Sequence, residues 1–67
     1  MEFIDLGNGA ECVIYDDGTK HWYLNETVHR IDGPAVENAD GSKEWWINNV
    51  EYSEEEFDMI KQMLWAV

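Results

Sequence analysis

The sequence predicts an α+β fold: an antiparallel β-meander of two repeated hairpin units followed by one C-terminal α-helix. Three observations predict it. First, a nine-residue stretch is echoed at an offset of 23. Asp17-Gly18-Thr19-Lys20-His21-Trp22-Tyr23-Leu24-Asn25 is echoed by Asp40-Gly41-Ser42-Lys43-Glu44-Trp45-Trp46-Ile47-Asn48. Asp, Gly, Lys, Trp and Asn are identical in the two copies, three further pairs are conservative, and Val13/Val36 keeps the same offset. Second, each copy opens with turn residues and continues with the period of two that marks a strand. Third, the periodicity changes after Tyr52 to the spacing of an amphipathic helix.

Taken in order, Phe3 to Leu6 reads as an edge strand, closed by Gly7-Asn8-Gly9. Asn-Gly favours a tight turn because both residues accept positive φ. Glu11 to Tyr15 and Lys20 to Leu24 form a hairpin around Asp16-Asp17-Gly18-Thr19. Within the second of these strands Trp22 and Leu24 share one face, and His21 and Tyr23 share the other. Thr27 to Arg30 is short and extended. Pro34 lacks an N–H, so it begins a strand or lies at an edge. Ala35 to Asn38 pairs back through Asn38-Ala39-Asp40-Gly41-Ser42 with Lys43 to Asn48, where Trp45 and Ile47 share a face and Glu44 and Trp46 take the other. Val50 to Tyr52 is a short tail. Ser53 and Glu56 make a capping box for a helix to about Trp65, whose acidic first turn suits the helix dipole. Phe57, Ile60, Met63 and Leu64 are the apolar stripe expected to pack on the sheet and complete its core.

At 67 residues the chain makes one domain, residues 1–67, with the meander over 1–52 and the helix over 53–67. Four Trp, three Tyr and two Phe are expected to supply much of a small core. One cysteine, Cys12, permits no internal disulfide. Fifteen acidic residues against four basic ones leave a net charge of -11. Such a field repels nucleic acid and anionic membranes and favours basic partners. Met1 to Asp5 has neither the basic start nor the apolar run of a secretory signal, and no stretch is long enough to span a membrane. With a lone thiol, this predicts a cytoplasmic protein, of the host cell where the chain is encoded by one of the viruses that the resemblance below implies.

The period and the order Trp22, Asn25, His29, Gly33, Asp40-Gly41 resemble the MORN-type repeat, built of 23-residue β-hairpins. The stretch His29-Arg30-Ile31-Asp32-Gly33-Pro34-Ala35-Val36-Glu37 is similar to an HR-x-DGPA variant of it found in small uncharacterised bacteriophage proteins. The resemblance covers residues 10 to 52 and departs in two places. Glu26 and Asn49 stand where glycine is expected after Asn25 and Asn48, and Tyr52-Ser53 replaces the His-Arg pair in the second copy. It implies a β-meander with an interaction role and carries no active site.

The residues that carry chemistry read as follows. Cys12, His21 and His29 are too few and too scattered for a zinc site, which wants four ligands in close pairs. Cys12 lies near no residue pattern that would activate it and reads as a small buried strand residue. The Asp-Gly turns lack the alternating oxygens of a calcium loop, and turn chemistry accounts for them. Arg30 pairs with Asp32 or a neighbouring carboxylate and pins its loop. Neither a cofactor nor a catalytic group is expected.

Tyr23 and Trp46 occupy equivalent positions opposite Trp22 and Trp45. If the meander leaves that face open, they become aromatic anchors among acids, with Glu44 beside them. If the meander curls, both faces are buried. Glu51, Glu54, Glu55, Glu56 and Asp58 place five carboxylates in eight residues without a cation. On a helix Glu54 and Asp58 lie on one side, spaced about 6 Å apart, comparable to strand phosphates. The expected partner-binding set is therefore Tyr23, Trp46, Glu44, Glu51, Glu54, Glu55 and Asp58. The function expected is a non-enzymatic acidic binding protein, of the phage anti-defence or anti-CRISPR type. Its partner would be a basic, nucleic-acid-handling protein of the host, without direct nucleic-acid or membrane binding and compatible with a homodimer. A nucleotide sponge using Arg30 and stacked aromatics, and an oligomerising structural repeat, are the alternatives.

Overall fold

A computed structural model describes residues 1–65, with side chains described to Met63. Seven strands and one helix follow in order: β1 Glu2–Gly7, β2 Ala10–Ile14, β3 Lys20–Leu24, β4 Thr27–Val28, β5 Val36–Glu37, β6 Lys43–Ile47, β7 Val50–Tyr52 and α1 Glu54–Trp65. The sheet runs β1-β2-β3-β5-β6-β7, with β4 attached to β3, and every pairing is antiparallel. This is the expected meander with its single C-terminal helix. No helix among the described residues is long and apolar enough to cross a membrane.

The 23-residue offset is a repeat of geometry as well as of letters. In the first turn the Gly18 N–H donates to Tyr15 O (3.0 Å) and the Tyr15 N–H to Thr19 O (2.8 Å); in the second, Gly41 donates to Asn38 (3.0 Å) and Asn38 to Ser42 (2.8 Å). Asp17 Oδ1 accepts the Thr19 N–H and Asp40 Oδ1 the Ser42 N–H, both at 2.9 Å. Gly18 and Gly41 have φ of 94° and 92°, the left-handed region that glycine enters without steric cost. The tight turns after β3 and β6 repeat as well. Asn25 and Glu26 have φ of 48° and 69°, and Asn48 and Asn49 have φ of 51° and 66°. The chain thus makes the turn that glycine would favour at positions where it carries Glu26 and Asn49.

The connection between the units is an irregular stretch that binds both of them. Trp22 N–H donates to Ala35 O (2.8 Å), Arg30 N–H to Trp46 O (3.1 Å) and Asn49 N–H to Val28 O (3.0 Å). Side chains add the Asn49 Oδ1 bond to the Val28 N–H (2.7 Å) and the His29 Nδ1 bond to the Asn48 N–H (3.1 Å). Pro34 precedes β5, which is shorter than the Ala35 to Asn38 strand expected.

The core differs from the expected one. Among the described residues its buried side chains are Cys12, Val13, Ala35, Val36 and Phe57, and Trp22, Trp45 and Trp46 are only half-buried. A single sheet with one short helix at its β6–β7 end has no second layer extensive enough to enclose large rings on both sides. Small residues at strand centres are enclosed by their neighbours, and the wide aromatics form the walls.

The helix packs on β6 and β7. Phe57 is 2% exposed and Ile60 is partly covered, which completes the core as anticipated. The stripe is narrower than expected. Met63 is 69% exposed, because six residues at about 100° each carry it about 120° from Phe57. Leu64, the stripe's last member, lies outside the described side chains. Glu56 Oε1 accepts the Ser53 N–H (3.0 Å) and the Glu56 N–H donates to Ser53 Oγ (3.1 Å), closing the capping box.

Two predictions follow from this geometry. Glu26→Gly relieves a left-handed non-glycine residue and is expected to raise stability by about 1 kcal/mol in urea denaturation, more than Glu26→Ala, which removes the same charge but keeps the strain. The carboxyls of Asp17, Asp40 and Glu56 are all held below their ordinary pKa by the N–H and hydroxyl groups of Thr19, Ser42 and Ser53. Because the folded values are lowered, their stabilisation is present above the ordinary carboxylate range and is lost as pH falls through it. The denaturation midpoint is expected to fall below about pH 4, and Ser53→Ala to remove the Glu56 share of that slope along with about 1 kcal/mol of capping.

Candidate binding face

Register assigns every strand side chain to one of two faces. The first carries Cys12, Lys20, Trp22, Leu24, Glu37, Lys43 and Trp45, linked by the pairs Cys12–Trp22, Lys20–Glu37 and Glu37–Lys43. The second carries Glu11, Val13, His21, Tyr23, Val36, Glu44, Trp46 and Glu51, linked by Glu11–Tyr23, Val13–His21, His21–Val36, Val36–Glu44 and Trp46–Glu51. From β1, Phe3 and Asp5 join the second face opposite Val13 and Glu11.

Arg30 organises the first face. Its guanidinium carbon sits 3.9 Å from the centre of the Trp22 ring. Nε donates to Asp32 Oδ1 (2.9 Å), and Nη1 donates to Pro34 O (3.1 Å) and to Glu37 Oε2 (3.5 Å). The loop-pinning role expected of Arg30 is thus seen directly. A Cβ at residue 33 would come within 3.0 Å of the guanidinium carbon, so Gly33 makes room for it. The His29-to-Ala35 stretch is in this way a staple: His29 and Arg30 bind the second unit, Arg30 clamps the loop, Gly33 admits the clamp, and Ala35, fully buried, binds Trp22. Cys12 lies beneath it, buried, with its thiol pKa raised chiefly by that burial against the lowering effect of Lys20 and Arg30. A raised pKa disfavours the thiolate, the form a nucleophile needs. No three His, Cys, Asp or Glu side chains among the described residues are grouped as metal ligands.

The second face carries the aromatics proposed from sequence. Tyr23 and Trp46 are half-buried, neither open nor enclosed, and each is held by the residue two before it. His21 Nδ1 lies 3.1 Å from the Tyr23 hydroxyl, and the Trp46 Nε1–H donates to Glu44 Oε1 at 3.0 Å. His21 and Glu44 are repeat-equivalent, so the two units fix their anchors by the same device with different chemistry. Glu44 Oε2 also accepts from Asn38 Nδ2 (3.2 Å), which makes Glu44 the group that orients Trp46. Tyr15 meets His21 edge-on at 5.0 Å. The Tyr23 hydroxyl pKa is pushed up first by burial, then by the Tyr15 hydroxyl and the Glu11 charge.

Of the residues singled out from sequence, Tyr23, Glu44, Trp46 and Glu51 come together on this face. Glu54, Glu55 and Asp58 are exposed on the helix at the β6–β7 end of the molecule. Sequence reasoning passed over Phe3, Glu11 and Tyr15, which stand on the same face as Tyr23. Their signal is the alternation along β1 and β2, usable once the register of β2 on β3 and, for Phe3, of β1 on β2 is known. No protein-family model, curated protein or solved structure matches the chain.

Replacing Arg30 removes a ring contact and three polar bonds from a half-buried site. Arg30→Ala is expected to cost about 2 kcal/mol in urea denaturation. Arg30→Lys should recover only part of this, because an ammonium cannot serve Asp32, Pro34 and the Trp22 ring with one planar fork.

Proposed function

We propose that the protein is a non-enzymatic acidic binding module that docks on a basic surface of a nucleic-acid-handling protein, as an inhibitor of the phage anti-defence kind. The observation that carries this reading is the segregation of charge between the two faces. Lys20, Lys43 and Arg30 lie on or against the Trp22 face. The strands present no Lys or Arg on the Tyr23 face, which bears Asp5, Glu11, Glu44 and Glu51 among Phe3, Tyr23 and Trp46. Exposed helix acids Glu54, Glu55 and Asp58 extend the negative field. Carboxylates steer a basic partner into encounter, and half-buried aromatics supply the desolvated contacts that hold it.

The MORN-like character of the repeat and its HR-x-DGPA stretch support an interaction role of the phage type. The nucleotide-sponge alternative is weakened, since the Arg30 Nε and Nη1 donors are engaged by Asp32, Pro34 and Glu37 and its plane by Trp22.

The test is capture on the immobilised protein from a bacterial host lysate, eluted with a salt gradient and, separately, with duplex DNA. A nucleic-acid enzyme released at moderate salt and displaced by DNA is the expected result. Replacing Glu51, Glu54 and Glu55 by Gln and Asp58 by Asn should slow association with that partner about tenfold at low salt. Trp46→Ala should act on the dissociation rate. A partner indifferent to both salt and DNA overturns the reading.

A further inference from the structure

Two carboxylates that line a groove beside Tyr23 occupy positions that cost the fold stability. Glu11 lies directly across from Asp5 in the β1–β2 register, and like charges so placed repel. Glu26 holds a left-handed φ of 69° that its side chain does nothing to offset, as it makes no hydrogen bond or ion pair among the described residues. Its repeat counterpart Asn49 has the same backbone strain but uses its side chain to bind Val28. Residues that break a local rule without a structural return point to function when they converge. These two converge.

Glu11 and Glu26 line one groove of about 300 Å³ with Met1, Phe3, Val13, Tyr15 and Tyr23. It lies on β1–β3, the opposite end of the sheet from the β6–β7 strands that carry the helix. Phe3 is 65% exposed although it sits beside the buried Val13. The cation at the rim, the Met1 ammonium, is already paired with Asp16 at 2.6 Å. Three aromatic rings with two uncompensated carboxylates are complementary to a cation that also has an apolar or flat surface.

We propose that this groove binds an arginine side chain of the partner protein, the guanidinium stacking on Tyr15, Tyr23 or Phe3 and bonding to Glu11 and Glu26. Arginine fits better than lysine because its planar fork serves carboxylates and ring faces together and is more weakly hydrated than an ammonium. The proposal rests on the reading of the protein as a binder of basic surfaces and names the group that its first unit recognises. The second unit has no such groove, since Pro34 stands at the repeat position of Glu11 and Asn38 at that of Tyr15.

The test is an NMR titration of the whole protein with a short blocked Gly-Arg-Gly-Arg-Gly peptide, its citrulline counterpart and free agmatine. The expected result is saturable shifts centred on Phe3, Glu11, Tyr15, Tyr23 and Glu26 with the arginine peptide, and none with the citrulline peptide. Glu11→Gln with Glu26→Gln should weaken binding roughly fivefold. Glu11→Gln should at the same time raise the urea midpoint, by removing the repulsion from Asp5, which a merely structural role for Glu11 would not do. Equal response to citrulline, or no response to arginine, overturns the proposal. Shifts spread over all the carboxylates and unchanged in the double variant also overturn it, while leaving the acidic-surface reading standing. Agmatine binding as tightly as the peptide overturns the protein source of the cation. In the lysate capture, a partner held equally by wild type and double variant separates failure of the groove from failure of the function proposed above.

Discussion

The fold depends on how one half-buried arginine closes the joint between two thin hairpin units. A β-hairpin of some 20 residues cannot bury its own face, and two of them laid edge to edge remain a single layer. The layer holds because the chain between them crosses back over the first unit and bonds to the second. Arg30 is the centre of that crossing. It lies flat on Trp22, takes Asp32, Pro34 and Glu37 with its donors, and presents its own N–H to Trp46 O. Each bond alone contributes about 1 kcal/mol, but together they convert an irregular loop into the second wall of a small core over Cys12 and Ala35. At the other end the helix does the corresponding work with Phe57, so each unit is closed by the segment that follows it.

That arrangement has an electrostatic consequence. A chain with four basic residues has spent three of them on or against the Trp22 face. Glu37 lies between Lys20 and Lys43 in register, where opposite charges across strands favour the sheet. The opposite face is left acidic by the same placement. Its aromatic residues are prevented from wandering by His21 and Glu44, whose bonds to Tyr23 and Trp46 fix the rings without burying them. Order without enclosure is the state in which an aromatic side chain loses little entropy on meeting a partner.

Much of this was legible in the residues. The 23-residue echo located both turns, both long strands and their relative phase, because Asp, Gly and Asn act through local bonds and φ preferences that neighbours barely alter. The equivalence of Tyr23 and Trp46 was equally visible. The groove was not. Phe3 and Glu11 belong to strands outside the nine-residue echo; Glu11 meets Tyr23 through the register of β2 on β3, and Phe3 joins them only through that of β1 on β2, which includes an irregularity between Asp5 and Gly7. Met63 leaves the helix stripe because an interval of six residues looks helical in a run of apolar positions and falls off the buried side on a cylinder.

Local grammar is set residue by residue: which positions turn, which extend, where the helix is capped, and which side chains share a strand face. These follow from steric limits and hydrogen bonds spanning a few residues. Tertiary structure alone decided which strands sit side by side, that the Trp rings are walls while Val13, Val36 and Ala35 are the interior, and that the cations gather on one side. Those outcomes depend on long-range register and on the thickness of a single sheet. Burial in so thin a slab is set by what lies above and below a residue, and no run of neighbouring letters contains that.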